Sequence, residues 1–293
     1  MIRHILVPSN GLEANLLEDA FNLASPFSAH VDVLHVGWKA TREMVFYDNG
    51  LSPEMLDTMI SQAQREADKI SKAARNQFDL VTTAASVPIT AKPTGTECMT
   101  AEWREITGPV ARVFGAEART ADLTLLSRPT EKFADLEILE AALLESGRPV
   151  LLRAGDMSEI SRSVVIAWDG SLAAVRAVAG AQDFIARAGM VTIVIVEGDR
   201  EDASETPVVG RPHPRSEHLA RHLAWHGVKA SVLTVKQDGR SVGETLATAA
   251  MELSAGLLVM GGYGHSRLRE IILGGATRYM LNNPINCPVL LAH

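Results

Sequence analysis

Cysteine is nearly absent from this chain, with Cys98 and Cys287 the only two in 293 residues. Two thiols far apart in sequence and outside any metal-ligand spacing argue against a disulfide framework and point to a reducing cytoplasm. Long apolar runs are missing too. None approaches the roughly 20 residues of a membrane span, so no membrane partner is expected, and the opening MIRHILVPSNG reads as a strand and a turn rather than a signal peptide. An excess of positive charge is also lacking: the formal net charge is −7, which disfavours nonspecific nucleic-acid binding. What remains is ordinary globular material, 46% hydrophobic and 22% charged, long enough for two domains.

The informative stretch is LLVMGGYGHSRLREIILGGATRYMLNNPINCPVLL, with glycines spaced Gly261-x2-Gly264-x9-Gly274-Gly275 directly after an apolar run. Ala255 to Met260 suits a strand buried on both faces, and the glycines after it let backbone approach a ligand closely. Gly274-Gly275 precedes Ala276 to Leu281, a helical pattern whose free N–H groups and dipole favour an anion. Two N–H-rich turns a short excursion apart can hold the two ends of a triphosphate. Glycine after a strand is also an ordinary turn; the joint pattern with the closing strand Cys287 to Ala292 raises the nucleotide reading above it. The phosphate-loop pattern needs Lys-Ser/Thr after its last glycine, and the dinucleotide fingerprint needs glycine where Arg267 stands, so neither fits.

These residues resemble the universal stress protein family, whose ATP-binding members carry G-x2-G-x9-G-(S/T) before the last strand; Met260 before the motif and CPVLL after it share the likeness. The family's Ser/Thr after the last glycine is Gly275 here, which removes a hydroxyl donor to phosphate, although Thr277 lies two residues on. The resemblance implies an adenine nucleotide, ATP with Mg as its companion, held by Ala167, Asp169, Val196, Met260, Gly261, Gly262, Gly264, His265, Gly274, Gly275, Ala276 and Thr277. Asp169, in AWDGS, would lie beside the adenosine, and Val196 would offer backbone groups to the base. The other reading of Asp169 is an Asp-Gly turn capping the helix that starts at Ser171 to Ala174.

The chain repeats itself. The segment HILVPSNGLEANLLEDAFNLASPFSAHVDVLHVG lines up with SVVIAWDGSLAAVRAVAGAQDFIARAGMVTIVIVEG, and GRPVLLRAG with NCPVLLAH. Two α/β copies follow, 1–155 and 163–293, joined by the polar stretch Gly155 to Ser163. Strands alternate with helical patterns, the signature of a parallel sheet with helices on both faces. The fold class is α/β, two tandem doubly wound domains; the resemblance supplies a five-stranded order 3-2-1-4-5 in each. Ligands bind such sheets at the carboxyl ends of strands where the order reverses, here between Asp169 and Gly261. The last strand of each copy, Val150 to Arg153 and Val289 to Ala292, is an edge, and such edges are commonly covered by a partner. Pairing of the copies would make a pseudo-dimer within the chain, and a further homodimer fits as well.

The copies differ at the motif. Ser127, Arg128, Pro129 and Thr130 stand opposite the first glycine cluster, Pro129 removes a donor, no glycine precedes Gly147 in the corresponding interval, and Asn10 replaces Asp169. The first copy should therefore not bind ATP in the family's manner. Its insertion Lys39 to Phe78 carries a helical pattern starting near Ser52-Pro53, followed by a loop Pro88 to Glu102. Trp103-Arg104 resembles a pair found in two-domain members of the family. These features read as docking surface.

His218, His222 and His226 recur at four-residue spacing, a known metal arrangement. The competing reading makes Leu219 and Leu223 the buried stripe, with the histidines in solvent. His265-Ser266 with Arg267 and Arg269 sits in the glycine loop, but no GxSxG elbow, positioned base or magnesium carboxylate can be assigned, so no catalytic residue is named. The expectation is a nucleotide-binding regulatory protein, at most a slow ATPase; the alternative is a stress scaffold with an empty crevice.

Overall fold

The computed structural model describes residues 1–9, 14–37, 53–93, 97–129, 133–198, 216–262 and 274–293. Leucine-rich and β-branched runs form its strands, and the amphipathic runs between them form its helices. The N-terminal half comprises β1 (His4–Pro8), α1 (Ala14–Ala24), β2 (His30–Gly37), α2 (Pro53–Ala84), β3 (Thr100–Thr107), α3 (Val110–Ala118), β4 (Leu123–Leu126), α4 (Phe133–Glu140) with a π-helical turn Ala141–Glu145, and β5 (Val150–Leu152). The C-terminal half comprises β6 (Ser163–Ala167), α5 (Leu172–Gly180), α6 (Gln182–Arg187), β7 (Met190–Glu197), α7 (Ser216–Trp225), β8 (Ala230–Lys236), α8 (Val242–Glu252), β9 (Leu257–Gly261), α9 (Gly275–Asn282) and β10 (Val289–Ala292).

All ten strands share one sheet, in the order β3-β2-β1-β4-β5-β10-β9-β6-β7-β8. Each half is parallel with its strands in the order 3-2-1-4-5, as the resemblance implied. The two last strands are not edges: β5 and β10 pair with each other, antiparallel, Val150 opposite Leu291 and Leu152 opposite Val289. Central strands are buried on both faces, which is why they read as unbroken apolar runs. One apolar layer includes Ile5, Phe78, Leu151, Ile166 and Leu290. The other includes Leu6, Phe114, Leu152, Val165 and Met280.

Three local expectations change. Helix α2 runs two turns past Phe78, because Phe78 and Thr82 are both buried on its sheet-facing side. Strand β3 begins at Thr100, inside the expected loop, since Thr100 and Glu102 pair with His30 and Asp32 of β2. The polar linker is docked rather than free. Met157 and Ile160 are buried in it, and a Cβ at Gly155, whose φ is +59°, would stand 2.0 Å from the Asn286 carbonyl oxygen.

The N-terminal half also buries charge where the C-terminal half does not. Asp32, 4% exposed, accepts from Arg104 Nε at 3.1 Å and faces His4 Nε2 at 3.5 Å. Arg104 also pairs with Glu117, and His30 lies 3.9 Å from Glu102 and 2.8 Å from the Thr100 hydroxyl. At the matching register of the other half, Thr192 and Ser231 share a single hydroxyl contact. Because the Thr120 carbonyl can only accept, His4 Nδ1 donates to it at 3.2 Å, leaving Nε2 toward Asp32.

The hydrogen bond to Asp32 raises the His4 pKa above its ordinary 6.5 against the opposing effect of burial. Burial first, then the cations of His4 and Arg104, lower that of His30. A raised histidine stabilises the fold below its unfolded pKa and loses that contribution as pH rises through the folded value; a lowered one does the reverse. Across roughly pH 4 to 9, the stability deficit of His4→Gln should therefore shrink as pH rises above about 6.5, while that of His30→Gln should shrink as pH falls below about 6.5. Urea melts across that range test this, and parallel wild-type and variant profiles would contradict it.

Candidate functional site

The order of the C-terminal half-sheet reverses at β6, which pairs with β7 on one side and β9 on the other. The crevice of a doubly wound sheet opens at such a point, beyond the carboxyl ends of the strands. Ala167 closes β6, buried. After it, the Trp168 N–H donates to the Val194 carbonyl at 2.9 Å, and Gly170 turns the chain with φ +73°. Asp169 is exposed at the mouth, and its Oδ1 accepts the Ser171 N–H at 2.9 Å. Ser171 is the N-cap of α5, its hydroxyl accepting the Ala174 N–H at 3.1 Å. The capping-turn reading of Asp169 thus describes its local geometry, and the same turn sets the carboxylate at the crevice. Val196, half-buried near the end of β7, pairs with Val235.

The glycines of the motif divide by cause. A Cβ at Gly261 would stand 2.8 Å from the Ala174 nitrogen and 2.9 Å from the Ala173 Cβ, so this glycine admits the first turn of α5 rather than a ligand. Gly262 donates its N–H to the Ala292 carbonyl at 2.8 Å, and a Cβ there would meet Leu143 at 3.1 Å. Gly274 and Gly275 are different. Among the described residues no atom would come within 4 Å of a Cβ at either. Gly274 is the N-cap of α9 and brings no side chain to its first N–H groups, leaving them to another acceptor.

Thr277 does not replace the missing hydroxyl at the motif's end. It is 3% exposed and lies with Met280 and Leu281 on the buried stripe of α9. Ala276 packs against the same layer as Met260. Helix α9 lies close on α8, a Cβ at Gly243 falling 2.4 Å from that of Tyr279. Gly264, His265, Ser266, Arg267 and Arg269 lie outside the described residues, as do Asn10 and Thr130. The histidine triplet resolves as a solvent-facing row: Leu219 and Leu223 are buried while His218, His222 and His226 are exposed. The His222 and His226 rings approach to 4.9 Å, yet among the described residues no three His, Cys, Asp or Glu side chains gather closely enough to hold a metal ion. No helix among the described residues is long and apolar enough to cross a membrane.

Two side chains had no assigned role in the sequence. Trp168 Nε1 is buried without a partner among the described residues. Arg128 leaves the N-terminal half and donates through Nη1 to the Asn283 carbonyl at the end of α9. Its signal was its place opposite Gly262, the largest cation standing where the other copy has no side chain.

The universal stress protein family matches residues 161–293. The C-terminal half of this chain is a universal stress protein domain. Over the whole chain, a universal stress protein from Archaeoglobus fulgidus aligns at 17% identity and TM-score 0.56, covering 99% of this chain and 95% of its own. A functionally unknown protein from Pseudomonas aeruginosa aligns at 15% identity and TM-score 0.55, covering 99% and 92%. At such identities the likeness concerns the fold. No curated protein sequence matches.

The division among the glycines of this universal stress protein domain is measurable. Gly261→Ala should cost roughly 1–3 kcal/mol, because its Cβ must displace helix backbone. Gly275→Ala should be neutral or stabilise by up to about 1 kcal/mol, since its Cβ would meet none of the described residues at a helical position. Urea denaturation compares them, and equal destabilisation would contradict the assignment.

Proposed function

We propose that the C-terminal half binds an adenine nucleotide, ATP foremost, at the crevice between β6 and β9, and that occupancy regulates the protein's contacts rather than feeding a reaction. In this reading the phosphates meet the N–H groups of Gly275 and its neighbours, with the nucleoside toward Asp169 and Val196. The observation carrying it is the start of α9 at Gly274-Gly275, open and uncapped among the described residues, set at the carboxyl edge of a sheet where the strand order reverses. Hydrolysis, if any, is slow, because no base or magnesium carboxylate is assigned. Residues 1–155 and 163–293 act as two domains, the second carrying the single nucleotide site, and the protein works in the cytoplasm.

A second reading, a stress scaffold with an empty crevice, is favoured by two facts: Gly275 stands where a hydroxyl is expected, and Gly261 is already occupied by packing against α5. Calorimetric titration with ATP, ADP and AMP separates the two. Binding by wild type, lost in Gly274→Val/Gly275→Val with an unchanged circular dichroism spectrum and melting temperature, supports the nucleotide. No heat with any of the three supports the scaffold.

A further inference from the structure

Arg128 is a costly side chain in an unusual place. Its Nη1 donates to the Asn283 carbonyl, while Nε and Nη2 are buried with no partner among the described residues. A guanidinium desolvated for one carbonyl is poorly compensated as a stability device. Its acceptor explains the placement. Asn283 is the C-cap of α9, its N–H and side-chain amide both returning to the Tyr279 carbonyl at 3.0 Å, so its own carbonyl is the group left pointing out of the helix end. That end carries the negative pole of the helix dipole, which a cation favours.

The contact has a counterpart across the seam. Arg128 follows β4 as Gly262 follows β9, and Gly262 abuts Leu143 in the π-helical turn that continues α4, the helix occupying α9's place in the other half. Each half therefore presses its post-strand residue against the last helix of the other. On the N-terminal side the contact has become a charged hydrogen bond to α9, an element of only two turns. A displacement of one end of so short a helix reaches the other end, where Gly274 and Gly275 lie.

We propose that Arg128 is a positioning residue for the nucleotide site: from the N-terminal half it fixes the C-terminus of α9 and so sets the anion-binding N-terminus, making the degenerate half a regulator of the other's affinity. The inference rests on the nucleotide reading above for its affinity arm and on the helix alone for its mechanical arm. Arg128→Met keeps the apolar volume and removes the donors; Arg128→Lys keeps a cation.

The expected result is a Kd for ATP raised about five- to tenfold in Arg128→Met, with the melting temperature held or raised, and most of the affinity recovered in Arg128→Lys. Hydrogen exchange at the amides of Arg278 to Leu281 should quicken in Arg128→Met without ligand. An unchanged Kd in Arg128→Met overturns the inference while leaving the nucleotide reading intact. If wild type binds no nucleotide, that reading has failed and the exchange measurement decides alone: unchanged exchange in α9 overturns the anchoring role, and faster exchange confined to α9 upholds it.

Discussion

The antiparallel pairing of β5 with β10 is the constraint from which the rest follows. Only three residue pairs make it, and all six side chains are completely buried. Burying a Val or Leu stabilises by about 1.5–3 kcal/mol, so the seam is held by its two faces more than by its hydrogen bonds. Leu151 and Leu290 enter one apolar layer, while Val150, Leu152, Val289 and Leu291 enter the other. Both layers run through the seam without a break. A half-sheet detached from its mate would expose an apolar strand edge. The site strand β9 is the immediate neighbour of β10, so the crevice is built on the seam. The linker reinforces this: Gly256 and Gly155 each lack a side chain where linker and C-terminal backbone cross, a Cβ at either falling 2.0 Å from a carbonyl oxygen of the other segment.

Within this common frame the halves have diverged in what they bury. The C-terminal half keeps neutral side chains at the amino ends of its strands and saves its irregular backbone for the carboxyl ends, where the crevice opens. The N-terminal half has filled the corresponding strand positions with His4, His30, Asp32, Glu102 and Arg104. Asp32 is nearly inaccessible and is tolerable because Arg104 and His4 approach its two oxygens. Such networks fix one arrangement of strands more than they add stability. This one ties β1, β2 and β3 together at the far end of the sheet from the seam.

Much of this was legible in the sequence because it depends on periodicity. The repeat gave two copies, the buried strands read as apolar runs, and the segment after β9 announced a turn and a helix start. Glycine, however, is the same residue whether protein or ligand comes close to it. Spacing alone could not tell Gly261, which admits α5, from Gly275, whose Cβ would meet none of the described residues. Thr277 was readable in principle: it precedes Met280 and Leu281 by three and four residues, the spacing of a single helix face, which places it on the buried stripe. The linker misled because its composition is polar while Met157 and Ile160, the two residues that dock it, are scattered among serines and acids. Arg128 stood out only by its place opposite Gly262, and its contact was not legible because its partner lies 155 residues away, beyond any local pattern.

Helix α9 brings these threads together, because it is an element that could not stand alone. Eight residues are too few for an isolated helix in water, and it opens on a glycine at a cost of about 1 kcal/mol relative to alanine. It has no side-chain cap and no acidic residue in its first turn. Its order comes from outside: from α8, through the close approach of Gly243 to Tyr279; from the apolar layer under Thr277, Met280 and Leu281; and from Arg128 at its far end. Among the described residues, everything that holds it acts on its flank or its C-terminus, and no side chain caps its N-terminus. An anion placed there completes the helix, and whatever loosens the other supports weakens the hold on that anion. In the nucleotide reading proposed above, the same deficit that offers an anion a place also makes the segment answerable to the N-terminal half.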